Sequence, residues 1–322
     1  MTRREFLAAA AATSVGSALS AASAEHLPKL PIIDTHIHLF DTNRPQGVPW
    51  PEKSDKILYK PALPARYRDI AVPLGVTGAI VVEASPWSED NQWVLDLAAK
   101  DNIIVGVVGN LEPGKPEFGR QLDRLAKNPL FRGIRNGNLW GHDISSQTQN
   151  PALISDLKLM AQAGMVLDTA NPNPALIEAI LRITDQVPDL KLVIDHLPQM
   201  AIPEDKKIRS ACEANMREIG QRHQVYVKVS EVLRKVDGQI PTRLEFYRHR
   251  LDELYDIIGE DRLLYGSDWP NSDQWLPFHE GLTLVRQYFM EKGPAVAEKY
   301  FWKNSIAAYQ WQKRDQNQPW FK

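Results

Sequence analysis

Eight short apolar runs recur along this chain, beginning near Ile32, Ala79, Ile103, Phe131, Met165, Lys191, Val225 and Leu263. Stretches of helical spacing lie between them, over residues 91–100, 117–127, 151–162, 174–185, 208–222 and 244–258. Eight strands alternating with helices predict an α/β fold of the (β/α)8 TIM-barrel kind. The rival architecture is an open doubly wound sheet, but no Gly-x-Gly-x-x-Gly follows the first run, which removes its commonest cofactor site. No internal repeat or linker divides the chain, and the proline-rich stretch over residues 41–64 reads as a long loop folded over the barrel mouth.

Active groups in such a barrel sit where strands end, and the runs end in polar residues. They close on Glu83, Arg135, Asp168, Asp195-His196, Lys228-Val229-Ser230 and Ser267-Asp268, while the first ends in His36-Ile37-His38. Alternation along a strand gives His36 and His38 one face, shared with Asp34 and Ile32, so both imidazoles aim into one cavity. The same parity turns His196 inward and leaves Asp195 on the other face in a structural or orienting role. Asp268 shares its side with Gly266, whose lack of a side chain leaves space for a reacting centre. Arg135 points inward, suited to a carboxylate or sugar hydroxyls, and Arg132, of opposite parity, reads as structural. Lys228 between two valines must reach a carboxylate or a substrate oxygen, or belong to a structural ion pair. Trp87, Trp140, His142 and Trp269 fall just past strand ends, where they either wall the pocket or pack under loops.

An address precedes the barrel. Thr2-Arg-Arg-Glu-Phe-Leu7, an alanine-rich stretch and Ala22-Ser-Ala24 have the order of a twin-arginine signal peptide over residues 1–24, cleaved before Glu25. The expected partner is the twin-arginine export machinery and the expected location the periplasm, with no membrane association after cleavage. A net charge of −2 across 322 residues offers no electrostatic case for nucleic acid or an anionic membrane. Cys212 is the single cysteine, so an internal disulfide is excluded, and it reads as a small core residue.

Taken together, His36-x-His38, Phe131-Arg-Gly-Ile-Arg135, Val193-Ile-Asp-His196, Val227-Lys-Val-Ser230 and Tyr265-Gly-Ser-Asp-Trp-Pro270 resemble the amidohydrolase superfamily. Within it they resemble the amidohydrolase-related lactonases, a group that includes L-fucono-1,5-, L-rhamnono- and 2-pyrone-4,6-dicarboxylate lactonases. The resemblance covers residues 25–322. It implies a cluster of His36, His38 and His196 with Asp268 as general base, and one metal or none, because no lysine or further histidine ends strand four or five to build a second metal site. Zinc or another divalent ion held by His36, His38, His196 and Asp268 is therefore open, and some of these lactonases work without one.

The chemistry agrees with the residues. Opening a lactone needs a water deprotonated beside an ester carbonyl and an oxyanion stabilised, which a carboxylate facing three imidazoles can provide, with or without an ion. The expected enzyme is a lactone hydrolase acting on a sugar aldonolactone, with Arg135, Lys228, Glu83, His142 and Trp269 as substrate-binding residues. Two alternatives stand beside it: a single-zinc decarboxylase of the same superfamily, and a non-catalytic barrel that binds a sugar acid. Glu83 and Glu231 depart from relatives, which often carry glutamine and glycine there. Acidity at the mouth disfavours a dianionic pyrone and suits a neutral sugar lactone; Glu83 is open as selectivity filter, metal ligand or partner of Lys228.

Overall fold

Every apolar run forms a strand in the computed structural model, which describes residues 30–321; the twin-arginine segment at residues 1–24 lies outside the described residues. The strands are β1 (Ile32–Ile37), β2 (Val76–Val82), β3 (Ile104–Gly109), β4 (Phe131–Arg135), β5 (Val166–Thr169), β6 (Lys191–Ile194), β7 (Val225–Val229) and β8 (Leu263–Tyr265). All neighbours pair in parallel, in sequence order. Parallel neighbours need a crossover, and a helix follows each strand: α1 (Pro64–Ala71), α2 (Asp90–Lys100), α3 (Phe118–Leu125), α4 (Pro151–Gln162), α5 (Pro174–Gln186), α6 (Lys206–Ile219), α7 (Leu244–Ile258) and α8 (Phe278–Glu291). Local chemistry sets several starts. Asn150 and Asn173 each accept a backbone N–H and are followed by proline at the first helical position, and Asp205 caps α6 through the N–H groups of Lys207 and Ile208.

The sheet closes just beyond β8. Asp268 N–H donates to the His36 carbonyl at 2.8 Å and His38 N–H to the Trp269 carbonyl at 2.7 Å. Those two bonds join the last strand's extension to the first and pin Asp268 beside the histidines. The inside of the barrel is filled by Ile33, Ile80, Val105, Val166, Val193, Tyr226 and Leu264, packed against Trp302, Tyr309 and Trp311 from the end of the chain. Those aromatics arrive through α9 (Pro294–Glu298) and α10 (Asn304–Tyr309).

One helix was missed and one expectation changes here. The loop expected over residues 41–64 is followed by helix α1, which the sequence conceals because Pro64-Ala-Arg-Tyr-Arg-Asp-Ile-Ala71 is short and carries two arginines. Strict alternation also fails in β1: its pairing with β2 slips between Asp34 and Ile37, a bulge. Asp34 consequently does not share the histidines' cavity. Its carboxylate instead accepts from Tyr67 of α1 at 2.7 Å and from Ser267 N–H at 2.9 Å, a latch between α1 and the barrel's closing segment.

Close approach of β8 to β1 requires Gly266. A Cβ there would stand 2.8 Å from His36 Cβ, an atom fixed to the backbone, whereas a Cβ on Gly281 in α8 would meet Leu233 at an ordinary 3.7 Å. Gly266→Ala is expected to lose about 1–3 kcal/mol through overpacking. Gly281→Ala should gain about 0.5–1 kcal/mol from helix propensity. Paired thermal or urea melts check both, and equal behaviour of the two variants would contradict the close-packed seam.

Candidate active site

A layer of buried charge lies above the aromatic plug. Tyr309 Oη donates to both oxygens of Asp168, at 3.0 and 2.9 Å. Lys228 Nζ stands 2.6 Å from Asp168 and 2.9 Å from Asp195, with all three side chains sealed from solvent. Burial raises the Asp168 carboxyl to about 6, against the pull of Lys228. Lys228 is therefore not the substrate-binding residue expected from its place in the sequence. It is the structural ion pair, and it turns its remaining contact upward, donating to His36 Nδ1 at 3.2 Å.

His36 forms the floor of the next layer. Its Nε2 lies 3.3 Å from His38 Nε2 and 3.4 Å from both Asp268 Oδ1 and Arg135 Nη1. Burial, reinforced by Lys228, holds its pKa well below the usual imidazole value. His38 Nδ1 meets the Val82 carbonyl at 3.0 Å. A carbonyl only accepts, so His38 carries its hydrogen on Nδ1 and presents the Nε2 lone pair to Asp268 Oδ1, 3.1 Å away. Burial lowers His38 to about 4 and raises Asp268 to about 6. His196 completes the cluster with Nε2 3.7 Å from the same Asp268 oxygen and Nδ1 2.8 Å from Ser230 Oγ.

Left-handed backbone turns these groups inward. His196, Glu231 and Asp268, just past β6, β7 and β8, have φ of 51°, 48° and 59°. This conformation breaks the two-residue alternation, so Asp195 and His196 both face the barrel axis, where parity allowed only one. Asp195 Oδ1 lies 3.6 Å from His36 and Oδ2 3.8 Å from Arg135. The sequence signal for Asp195 was present in its polar strand end, but the turn that aims it was not legible.

Arg135 reaches the cavity with its guanidinium committed elsewhere: Nε donates to Glu83 Oε1 at 2.8 Å and Nη2 to the Glu83 carbonyl at 2.7 Å. The other Glu83 oxygen accepts from Trp140 Nε1 at 3.0 Å and Ser85 N–H at 2.9 Å. Glu83 thus holds Arg135 and Trp140 from behind; it neither pairs with Lys228 nor borders the cavity. Trp269 is fully buried against Tyr67 and Arg66, and His142 is not among the cavity's neighbours, so neither meets a ligand as expected. Trp87 borders a separate small cleft beside α2. The cavity itself, about 220 Å³, is bordered by His38, His196, Asp268, Arg135, Glu231 and Asn271, with Trp50 and Trp140 as walls. Trp50 comes from the long loop after β1, which does fold over the mouth. Asn271, unnoticed in the sequence, donates from Nδ2 to Asp268 Oδ2 at 2.7 Å and Glu231 Oε1 at 2.9 Å.

The donor set suits a divalent ion: His36, His38 and Asp268 offer atoms within 4.8 Å of one another, as do His196, Glu231 and Asp268. The lone pair of His38 faces a carboxylate oxygen, a pairing that a proton or a cation between them would satisfy, and His36 Nε2 is the other group within reach of it. Lys228 and Arg135, both on His36, oppose such an ion.

Residues 33–311 match the family described as amidohydrolase. An L-fucono-1,5-lactonase of Burkholderia ambifaria is 27% identical over 74% of this chain and 80% of its own length. A second, from Burkholderia multivorans, is 24% identical over 85% of this chain and 94% of its own. Among solved structures, an amidohydrolase from Burkholderia multivorans with bound zinc superposes with a TM-score of 0.76 at 20% identity, covering 88% of this chain and 100% of that one. The last likeness establishes the shared fold; the family match, which runs from β1 through the aromatic plug, establishes that this chain belongs to the amidohydrolase family.

Proposed function

We propose that the protein hydrolyses a lactone, and that its substrate is the lactone of a neutral sugar acid. The observation that carries the reading is Asp268: a buried carboxylate held by Asn271, backed by three imidazoles and open to a cavity of about 220 Å³. A pure binding site has no use for a carboxylate so placed, and the relatives named L-fucono-1,5-lactonase support the substrate class. The two tryptophan walls suit a single ring.

Asp268 takes a proton from water, and the hydroxide adds to the lactone carbonyl carbon. The developing oxyanion is met by the Nε2 hydrogen of His196, whose Nδ1 receives the Ser230 hydroxyl, and by Arg135. Collapse breaks the ring C–O bond, and the proton held by Asp268 passes to the released alkoxide, giving a hydroxy acid. His36, His38, His196 and Asp268 are the residues that would hold a divalent ion, and such an ion when bound would polarise the carbonyl and acidify the water. The twin-arginine-like sequence of residues 2–24 supports export to the periplasm as the setting for this activity.

Asp268→Asn keeps the shape and tolerates the positive φ, yet cannot accept the proton; kcat on a lactone panel followed with a pH indicator should fall about 10²-fold or more with an unchanged melting temperature. Near-normal turnover would remove the base and the mechanism. Acid release without carbon dioxide separates hydrolysis from decarboxylation. For the ion, chelated protein assayed beside its elemental analysis decides whether His36→Ala and His38→Ala lose rate through metal or without it. Full activity in metal-free protein would assign the histidines to hydrogen bonding alone. Glu83→Gln frees one side of Arg135 and Trp140, so kcat/KM should fall alike for neutral and carboxylate-bearing lactones. A shift in preference between the two would restore Glu83 as a selectivity filter.

A further inference from the structure

Glu231 is the acidic residue of the cavity that the mechanism leaves without a task. It borders the same space as His196 and Asp268, and its side chain retains 15% exposure. Its left-handed backbone, φ 48°, lifts it from the end of β7 toward the mouth, a conformation that glycine adopts without cost. One oxygen is occupied: Oε1 accepts from Asn271 Nδ2, whose second contact is Asp268. The other oxygen, Oε2, accepts no hydrogen bond among the described residues, with His196 Nδ1 3.9 Å away. Arg135, the cation bordering the cavity, is already held by Glu83, and the neighbours of the Glu231 carboxyl are Asp268 and the Trp275 indole. The side chain is partly exposed to the cavity, so Oε2 can take a donor from a bound ligand in place of water.

We infer that Glu231 is a specificity-determining residue whose free oxygen receives the hydroxyl on the carbon next to the lactone carbonyl. The inference rests on the lactonase reading above. The positional argument is short. Asp268 delivers water to the carbonyl carbon, so that carbon lies beside it. The donor atoms of His196, Glu231 and Asp268 lie within 4.8 Å of one another, which puts Glu231 beside the neighbouring ring carbon rather than at the far end of the sugar. A hydroxyl there donates to Oε2; a bare CH₂ strips water from the carboxyl and returns nothing. Sites built in this way reject the analogue that lacks the hydroxyl far more strongly than an apolar pocket rejects an extra methylene.

The test compares one aldono-1,5-lactone with its 2-deoxy counterpart, using wild-type protein, Glu231→Gly and Glu231→Gln, each with its metal content and melting temperature measured. The wild type is expected to prefer the 2-hydroxylated lactone at least tenfold in kcat/KM. Glu231→Gly, which suits the backbone, should shrink that preference at least tenfold, and Glu231→Gln, which keeps an acceptor oxygen, should retain more of it. A preference that survives Glu231→Gly, or losses equal on both lactones, overturns the inference and leaves lactone hydrolysis intact. Wild-type protein that opens neither lactone, nor any other of a panel, overturns the parent reading and this one with it.

Discussion

The ammonium of Lys228, shut inside the barrel between Asp168 and Asp195, is the interaction on which the rest depends. A single charge in that position would be prohibitively desolvated; two carboxylates and the Tyr309 hydroxyl make it tolerable, and removing one partner of such a set typically costs about 3–5 kcal/mol. A tightly packed apolar layer could stabilise the barrel as well. What the ion cluster adds is orientation. Tyr309 fixes Asp168, Asp168 and Asp195 fix Lys228, and Lys228 fixes the ring and the tautomer of His36. The C-terminal segment is therefore part of the site's foundation although it never borders the cavity.

Above that foundation the chain holds three consecutive strand ends in left-handed backbone. For a non-glycine residue this costs on the order of 1–2 kcal/mol, and at Asp268 the cost is offset by the backbone bond to His36 and the side-chain bond from Asn271. Extended backbone would send successive side chains to opposite faces. The turn instead lets neighbouring residues serve one centre, as Asp195 and His196 do from below and from the side. Backbone strain and the convergence of polar groups are thus two views of one arrangement.

This explains what the sequence could and could not reveal. Apolar periodicity located eight strands and the helices between residues 90 and 258 nearly to the residue, since buried parallel strands are continuous apolar runs and two of the helices open with Asn-Pro. His36, His38, His196 and Asp268 were legible as strand-end polar groups. Alternation then failed wherever the backbone left the extended form: at the β1 bulge, which takes Asp34 out of the cavity, and at His196, which brings Asp195 in. Glu83 and Lys228 were found but misassigned, because polarity at a strand end does not disclose whether the partner is a ligand or another side chain. Asn271 and Trp50 carried no signal, lying in loops whose path only the closed barrel defines.

The pairing of these charges also bears on the ion. His36 is flanked by donor-only groups at both ring nitrogens, Lys228 at Nδ1 and Arg135 at Nε2. The shorter contact is the ammonium's, and Nε2 also faces the acceptor Asp268 Oδ1, an arrangement that favours the ring's own hydrogen on Nε2, the atom a metal would need. Binding an ion through His36 therefore requires that hydrogen to leave, against two nearby positive charges. His38 is the opposite case, with its hydrogen committed to the Val82 carbonyl and a bare lone pair turned toward Asp268. One histidine is set to donate and the other to accept, so the protein alone can keep a hydrogen bond running from His36 to the lone pair of His38 beside Asp268. Metal affinity at this site is accordingly a competition between a cation from solution and the cations that β4 and β7 already supply.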